Sequence, residues 1–336
     1  MTEEKAIKIN ELTLSVSPLT GNDSFTVLAS LRKDIDKLKE FLESYDIQEG
    51  MELNWYENNA AIKIKRISPG FSSGEVVSYD LSEPRVVTLQ PEETILFNSI
   101  LIVDVSKSMN GRDLEVNNVR SAVEKIKKAF SFENLDDFLE QFKEGNNVTR
   151  KAGAIFAGLL YLSEKARIRK GETVSIITFA DRAEAINLET KQYIITDSRS
   201  QKLLNRMAKE MLEEVDAAQG MATNMAAAIE KCERIINSLP RNKRKQPLMI
   251  ILLTDGFDTS QKVSEAVVNL FSENDNIILH AVGLGPFVNK KELSEISRYC
   301  GGELFMPDNL GELLAWYDRQ AKELTIRLSE LHPEYH

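Results

Sequence analysis

The sequence predicts an α/β protein, a mostly parallel central sheet flanked by helices, preceded by a small N-terminal α+β or mostly β domain. Three observations predict it. From residue 96 onward, short apolar runs alternate with helical stretches, as in parallel sheets whose strands are buried on both faces. Before residue 96 the runs are shorter and surround one helical stripe. Two of the later runs, NSILIVDVS (98–106) and PLMIILLTD (247–255), stop on polar residues, at the strand ends where open parallel sheets collect their ligands.

In the N-terminal part, Ile7, Ile9, Leu12, Leu14 and Val16 suggest a strand interrupted or bulged near Asn10. The turn segment SPLTGND leads to a second short strand expected at FTVLAS. Leu31, Ile35, Leu38, Phe41 and Leu42 then mark a helix over 31–45. Further strands are expected at MELNWYE, AAIKIKRI, GEVVSYD and PRVVTLQ, and a β-grasp-like sheet is one arrangement they allow. In the larger part, TVSIITFA (173–180), NIILHAVGL (276–284) and GELFMP (302–307) supply the other strands, with AEAINLE as an edge partner. Helices are expected at 149–168, 200–215, 223–239 and 309–330. The domain limits read as 1–95, 96–330 and a tail at 331–336, with 110–148 a helical insertion beside the first polar strand end.

Composition narrows the function. The chain has 336 residues, 42% of them hydrophobic, enough for one large and one small core. A formal charge of −10 argues against nucleic acid and against anionic lipid. The cysteines, Cys232 and Cys300, lack metal-ligand spacing and read as two buried thiols. MTEEKAIKIN lacks the basic and apolar regions of a signal peptide, and no apolar run is long enough to span a bilayer. A cytoplasmic protein without membrane insertion is the expectation.

The chemistry lies in three short motifs. Asp104-Val105-Ser106-Lys107-Ser108 follows the first apolar strand, Thr223 opens a helix just after Gly220, and Thr254-Asp255-Gly256 ends another strand. A D-x-S-x-S pattern alone is weak. Taken singly, Asp104 reads as a turn cap and the serines as N-caps, but all three motifs fall at one edge of the inferred sheet. Carboxylates and hydroxyls are hard oxygen donors that favour Mg²⁺, Mn²⁺ or Ca²⁺ over softer metals. Two carboxylates and three hydroxyls do not complete six-fold coordination, which leaves room for water or an outside oxygen. Asp258 reads as a helix N-cap, His280 as a core histidine, and RNKRK (241–245) as a solvated basic loop.

Residues about 97–330 resemble the von Willebrand factor A family, a Rossmann-like fold, with an intact metal-ion-dependent adhesion site of the intracellular prokaryotic type. The resemblance implies that Asp104, Ser106 and Ser108 form the first loop, Thr223 the second and Asp255 the third. It further implies direct metal contact from the two serines, contact through water from the aspartates, and either mode from Thr223. ITFA (177–180) and YCGGELF (299–305) are similar to family strand regions. The long segment after Ser108 and the N-terminal module depart from the family pattern. The implied function is a metal-dependent protein-binding adaptor, Mg²⁺ being the preferred ion. Its partner contributes an acidic side chain, within assemblies that often include a separate MoxR-type AAA+ ATPase; this chain itself has no G-x-x-x-x-G-K-[ST] loop.

No catalytic residue is expected. A metal-dependent hydrolase or phosphatase-like enzyme is the alternative, but haloacid-dehalogenase-like phosphatases need an aspartate where Ser106 stands. GLGP (283–286) does not complete a dinucleotide loop. A structural scaffold that never uses its metal is the third reading.

Overall fold

In a computed structural model, residues 7–21, 23–69, 79–80, 86–188 and 191–328 are described. The chain divides into two units, one made of residues up to Ile95 with those from Leu324 onward, the other of Leu96–Glu323.

The first unit contains β1 (Ile7–Lys8), β2 (Glu11–Pro18), α1 (Ser24–Lys33), α2 (Ile35–Glu43), β3 (Glu52–Trp55), β4 (Ala60–Ser68), β5 (Tyr79–Asp80) and β6 (Val86–Pro91). Its sheet runs β3-β4-β2-β6, antiparallel except for the parallel β2–β6 pair, and Ile326–Leu328 pairs antiparallel with β6. Leu12, Leu14 and Val16 of β2 are buried, as their alternation requires. The strand expected at FTVLAS is instead helix α1. The Asp23 carboxylate caps it by accepting the Thr26 amide at 2.9 Å, and Phe25, Leu28 and Leu31 fall on one buried stripe. Asp34 separates α1 from α2 and caps the latter, so the single helix expected over 31–45 is two. Of the strand expected over 74–80, only Tyr79 and Asp80 are among the described residues.

The second unit begins with β7 (Asn98–Asp104). The segment 110–148 holds β8 (Leu114–Glu115), α3 (Arg120–Ala129), α4 (Leu135–Glu140) and β9 (Asn147–Val148). Then come α5 (Arg150–Ile168), β10 (Glu172–Phe179), β11 (Ala183–Ala185), β12 (Ile194–Thr196), α6 (Gln201–Ala217), α7 (Met225–Ser238), α8 (Arg241–Arg244), β13 (Leu248–Thr254), α9 (Val263–Glu273), β14 (Ile277–Gly283), α10 (Lys290–Tyr299), β15 (Leu304–Phe305) and α11 (Leu310–Gln320). The sheet order is β11-β10-β7-β13-β14-β15, with β12 also on β10; β11 and β12 are antiparallel to β10 and the remaining pairs parallel.

Every residue of β7, β10, β13 and β14 is buried, because helices cover both faces. Ile100 and Ile102 face one layer with Ile229, Val267 and Ile296 from α7, α9 and α10, and Cys232 and Cys300 are buried in this layer. On the other face α5 is buried from Arg150 to Ala166. Gly158 allows the close packing of α5 there, since a Cβ would stand 2.0 Å from the Met211 methyl of α6. The 110–148 segment packs along α5, with the Phe142 and Phe156 rings 4.4 Å apart, and buries Val116, Ile126, Leu135 and Leu139.

The helix expected over 309–330 ends at Gln320. Leu324 and Ile326 then alternate with polar residues, and β16 (Ile326–Leu328) completes the sheet of the first unit. RNKRK is not a simple solvated loop, because its first four residues form α8 and Lys243 Nζ donates to the Gly171 carbonyl. Among the described residues no helix is long and apolar enough to cross a membrane.

Candidate metal centre

The chain leaves β7 to form β10 on one side and returns to form β13 on the other, which makes the crevice between the carboxyl ends of β7 and β13 the switch point of the sheet. Asp104 is the last residue of β7 and Thr254 the last of β13, in neighbouring registers. Asp104 accepts the Ser106 amide on Oδ1 at 2.8 Å and the Thr254 hydroxyl on Oδ2 at 2.6 Å. The Ser106 and Ser108 hydroxyls lie 3.0 Å apart, and Ser108 donates to Asp255 Oδ1 at 2.7 Å. One unbroken hydrogen-bonded chain thus joins four of the five residues singled out by sequence.

Thr223 reaches the same edge through backbone contacts. Ser106 bridges Gly220 in parallel, and the Lys107 amide donates to the Gly220 carbonyl at 2.9 Å. The Thr223 carbonyl accepts the Thr259 amide at 2.9 Å. Gly256 lies against the Thr223 hydroxyl, where a Cβ would stand 3.2 Å from Oγ1. Asn224 then caps α7 by accepting the Ala227 amide.

Asp104, Ser106, Thr223, Thr254 and Asp255 are all buried, whereas Ser108 is exposed. Burial pushes the Asp104 carboxyl up to about 6, against the hydrogen bonds from Thr254 and Ser106 that favour its charged form. A cation beside it would offset that penalty. Only oxygen donors meet here, and among the described residues no three His, Cys, Asp or Glu side chains gather as a metal cluster. The group therefore suits a hard divalent ion that retains water.

Three contributors, Thr254, Arg150 and Asp113, lie outside the ligand set expected from the sequence. Thr254 supports Asp104 from within the Thr254-Asp255-Gly256 motif. Arg150, at the start of α5, donates from Nη1 to Asp255 Oδ2 at 2.7 Å, from Nε to Asp113 Oδ1 at 2.8 Å, and from Nη2 to the other Asp113 oxygen. This two-pronged grip on Asp113 is the strong form of the arginine–carboxylate pair, and it holds Asp113 well below the usual carboxylate range. The space the guanidinium fills is kept open by Gly285, at φ +79°, where a Cβ would lie 2.5 Å from Arg150 Cζ.

The neighbouring residues behave as supports. Asp258 Oδ2 accepts the Lys262 and Val263 amides at the start of α9, and Oδ1 accepts the Met225 amide of α7 at 2.9 Å. It is not itself an N-cap, since Lys262 and Asn224 hold those positions, but its carboxylate satisfies amides at the start of both helices. His280 is buried in β14, its Nδ1 accepting the Glu303 amide at 3.2 Å, away from the three loops.

No curated protein matches the chain. Among solved structures it is similar to a von Willebrand factor type A protein from Catenulispora acidiphila, at 18% identity and TM-score 0.46 over 70% of this chain and 44% of that one. It is also similar to the manganese-loaded TRAP protein of Plasmodium vivax, at 14% identity and TM-score 0.41 over 73% and 80%. A third is the conserved hypothetical protein BatB of Bacteroides thetaiotaomicron, at 16% and 0.41 over 67% and 98%. The match spans less than half the length of the Catenulispora protein and of a mussel byssus thread matrix protein, the latter with 47% covered. The family model for the von Willebrand factor type A domain matches residues 100–314, and the chain belongs to that family.

Proposed function

We propose that this chain is a metal-dependent protein-binding module in which Asp104, Ser106, Ser108, Thr223 and Asp255 form a metal-ion-dependent adhesion site. The observation that carries the reading is the hydrogen-bonded chain Thr254–Asp104–Ser106–Ser108–Asp255 at the sheet's switch point. Family membership supports it, since von Willebrand factor type A domains often mediate metal-dependent protein interactions.

Ser106 and Ser108 would hold the ion directly, and Asp104 and Asp255 would orient its waters and balance its charge. Mg²⁺ is the proposed ion, with Mn²⁺ and Ca²⁺ able to use the same oxygens. When bound, it supplies a Lewis-acidic position for one hard, anionic oxygen from outside, which an Asp or Glu side chain of the partner provides. The role proposed is that of a cytoplasmic adaptor rather than an enzyme, within an assembly of the kind that includes a separate AAA+ ATPase.

Titration calorimetry with Mn²⁺ tests the site. Wild type should bind, and Asp104→Ala and Asp255→Ala should bind at least about tenfold more weakly while remaining folded. Equal Mn²⁺ affinity in wild type and Asp104→Ala would sink the assignment.

A further inference from the structure

Large apolar side chains are unusually exposed around the candidate metal edge. In the Leu96–Glu323 unit, Met221 is 79% exposed, Phe287 69% and Phe257 57%, ahead of Leu203 at 43% and Val268 at 38%, which lie on helices α6 and α9. Met221 and Phe257 stand on loops that carry candidate ligands, and Phe287 stands on the adjacent loop that follows β14. Met221 follows Gly220, the residue bridged to Ser106, and its amide is held by Asp181 Oδ2 at 2.9 Å. Phe257 is two residues beyond Asp255. Phe287 is two residues beyond Gly285, whose loop is tied to the end of β13 by the Leu284 amide donating to the Thr254 carbonyl at 2.9 Å.

A single exposed apolar residue is ordinary, but three on one edge mark a surface that something covers. Local charge indicates what that something is. The protein carries −10 overall, yet Lys107, Arg112 and Lys262 are exposed on the loops that follow β7 and β13, and Arg182 on the turn between β10 and β11. These four and Arg150, which pairs with both Asp113 and Asp255, face five aspartates there, Asp104, Asp113, Asp181, Asp255 and Asp258. The edge is therefore balanced in charge and apolar on a chain that is acidic elsewhere, and a bound dication would make it positive, which complements a partner that is acidic and apolar together.

We infer that Met221, Phe257 and Phe287 form an apolar rim around the metal position, and that the partner is a protein segment whose Asp or Glu is flanked by bulky apolar side chains. The carboxylate docks toward Ser106, Ser108 and Asp255 while its neighbours cover the rim. This deepens the proposed function and rests on that reading.

The test uses the full chain and immobilised peptides with a central Glu, flanked either by Phe and Leu or by Ser and Gly, with central-Gln controls. Retention is read in Mg²⁺ and in EDTA for wild type and for the combined variant Met221→Ser, Phe257→Ser, Phe287→Ser. Wild type should prefer the apolar-flanked Glu peptides by about tenfold or more, in Mg²⁺ only, as buried aromatic anchors do. The triple variant should lose that preference while its Mn²⁺ affinity and melting temperature match wild type. Equal retention of both Glu peptide sets in Mg²⁺, or none above the Gln controls, overturns the rim and leaves the metal reading standing. Preference that persists in EDTA overturns the coupling of rim to metal. Rim-dependent self-association, lost in the triple variant during sedimentation, overturns the proposal in favour of a second copy of this chain. Absent Mn²⁺ binding by wild type is the separate failure that removes the metal reading itself.

Discussion

Arg150 and Ser108 share one carboxylate: Asp255 accepts the guanidinium on Oδ2 and the serine hydroxyl on Oδ1, each at 2.7 Å. The pair Arg150–Asp255 is buried on both sides, with side-chain exposures of 8% and 0%. A cation built into the protein thus already partners one of the two carboxylates proposed to balance a divalent ion. Asp113 holds the same guanidinium from the other side, so the pairing also ties the 110–148 segment to the metal edge.

Replacing Arg150 should therefore separate metal affinity from stability. In Arg150→Gln the positive charge that opposes the dication is gone, and Mn²⁺ should bind about tenfold more tightly or better. The metal-free protein should lose about 3–5 kcal/mol, because Asp255 is left buried without its partner. Added Mn²⁺ should return part of this loss, about 2.7 kcal/mol at a concentration a hundred times its Kd. Calorimetry and denaturant unfolding with and without metal measure both effects, and unchanged affinity would show that Arg150 does not oppose the ion.

Gly285→Ala tests the same contact from the other side. The residue sits at φ +79°, which a side chain rarely adopts, and its Cβ would meet the Arg150 guanidinium at 2.5 Å. Both effects are unfavourable, so the variant should lose more than about 1 kcal/mol. A melting temperature equal to wild type would mean that the loop and the guanidinium adjust without cost.

How much of this could be read in the sequence follows from the range of the interactions. β7 and β13 are buried at every position and declare themselves as unbroken apolar runs, and each ends on residues of the site. Arg150 was illegible because the 110–148 segment separates it from Ser108, and only the folding of that segment along α5 brings it back. Helix α1 reads as a strand in the sequence because FTVLAS is rich in apolar and β-branched residues, whereas Asp23 caps the segment as a helix. Strand β16 lies at the opposite end of the chain from its partner β6, a pairing that no local pattern announces.

A second buried ion pair lies at the other end of the sheet and has no part in the site. Lys165 Nζ donates to Glu172 Oε2 at 2.8 Å and stands 3.6 Å from the centre of the Phe97 ring, while Glu172 Oε1 accepts the Phe97 amide at 3.2 Å. Lys165→Met should cost about 3–5 kcal/mol by leaving Glu172 charged and unpaired. Adding Glu172→Gln, which retains an acceptor for the Phe97 amide, should recover most of that loss. Burial pushes the Lys165 ammonium down to about 8, and Glu172 opposes the shift only in part. Between about 8 and the ordinary 10.5 the unfolded chain then binds more protons than the fold, so wild-type stability should rise with pH across that window. Urea midpoints measured through it should climb in wild type and stay flatter in Lys165→Met. Parallel curves would assign the pH dependence to other groups.

The response of partner binding to salt distinguishes coordination from steering. The net charge of −10 taken alone would repel an acidic partner and make association faster as salt rises. At the edge where docking is proposed, the exposed cations Lys107, Arg112, Arg182 and Lys262 together with Arg150 balance the five aspartates, so that a bound dication would reverse that sign. Association of an acidic partner should therefore slow as salt rises towards physiological strength, since diffuse attraction is screened over about 8–10 Å. Dissociation should barely change, because a carboxylate oxygen bound directly to a dication is hardly screened. EDTA should abolish the complex at every salt concentration. Stopped-flow association with Lys107→Gln, Arg182→Gln and Lys262→Gln combined should flatten the salt dependence without altering the EDTA effect. An association rate that instead rises with salt would mean that the acidic remainder of the surface, and not the loop cations, governs the approach.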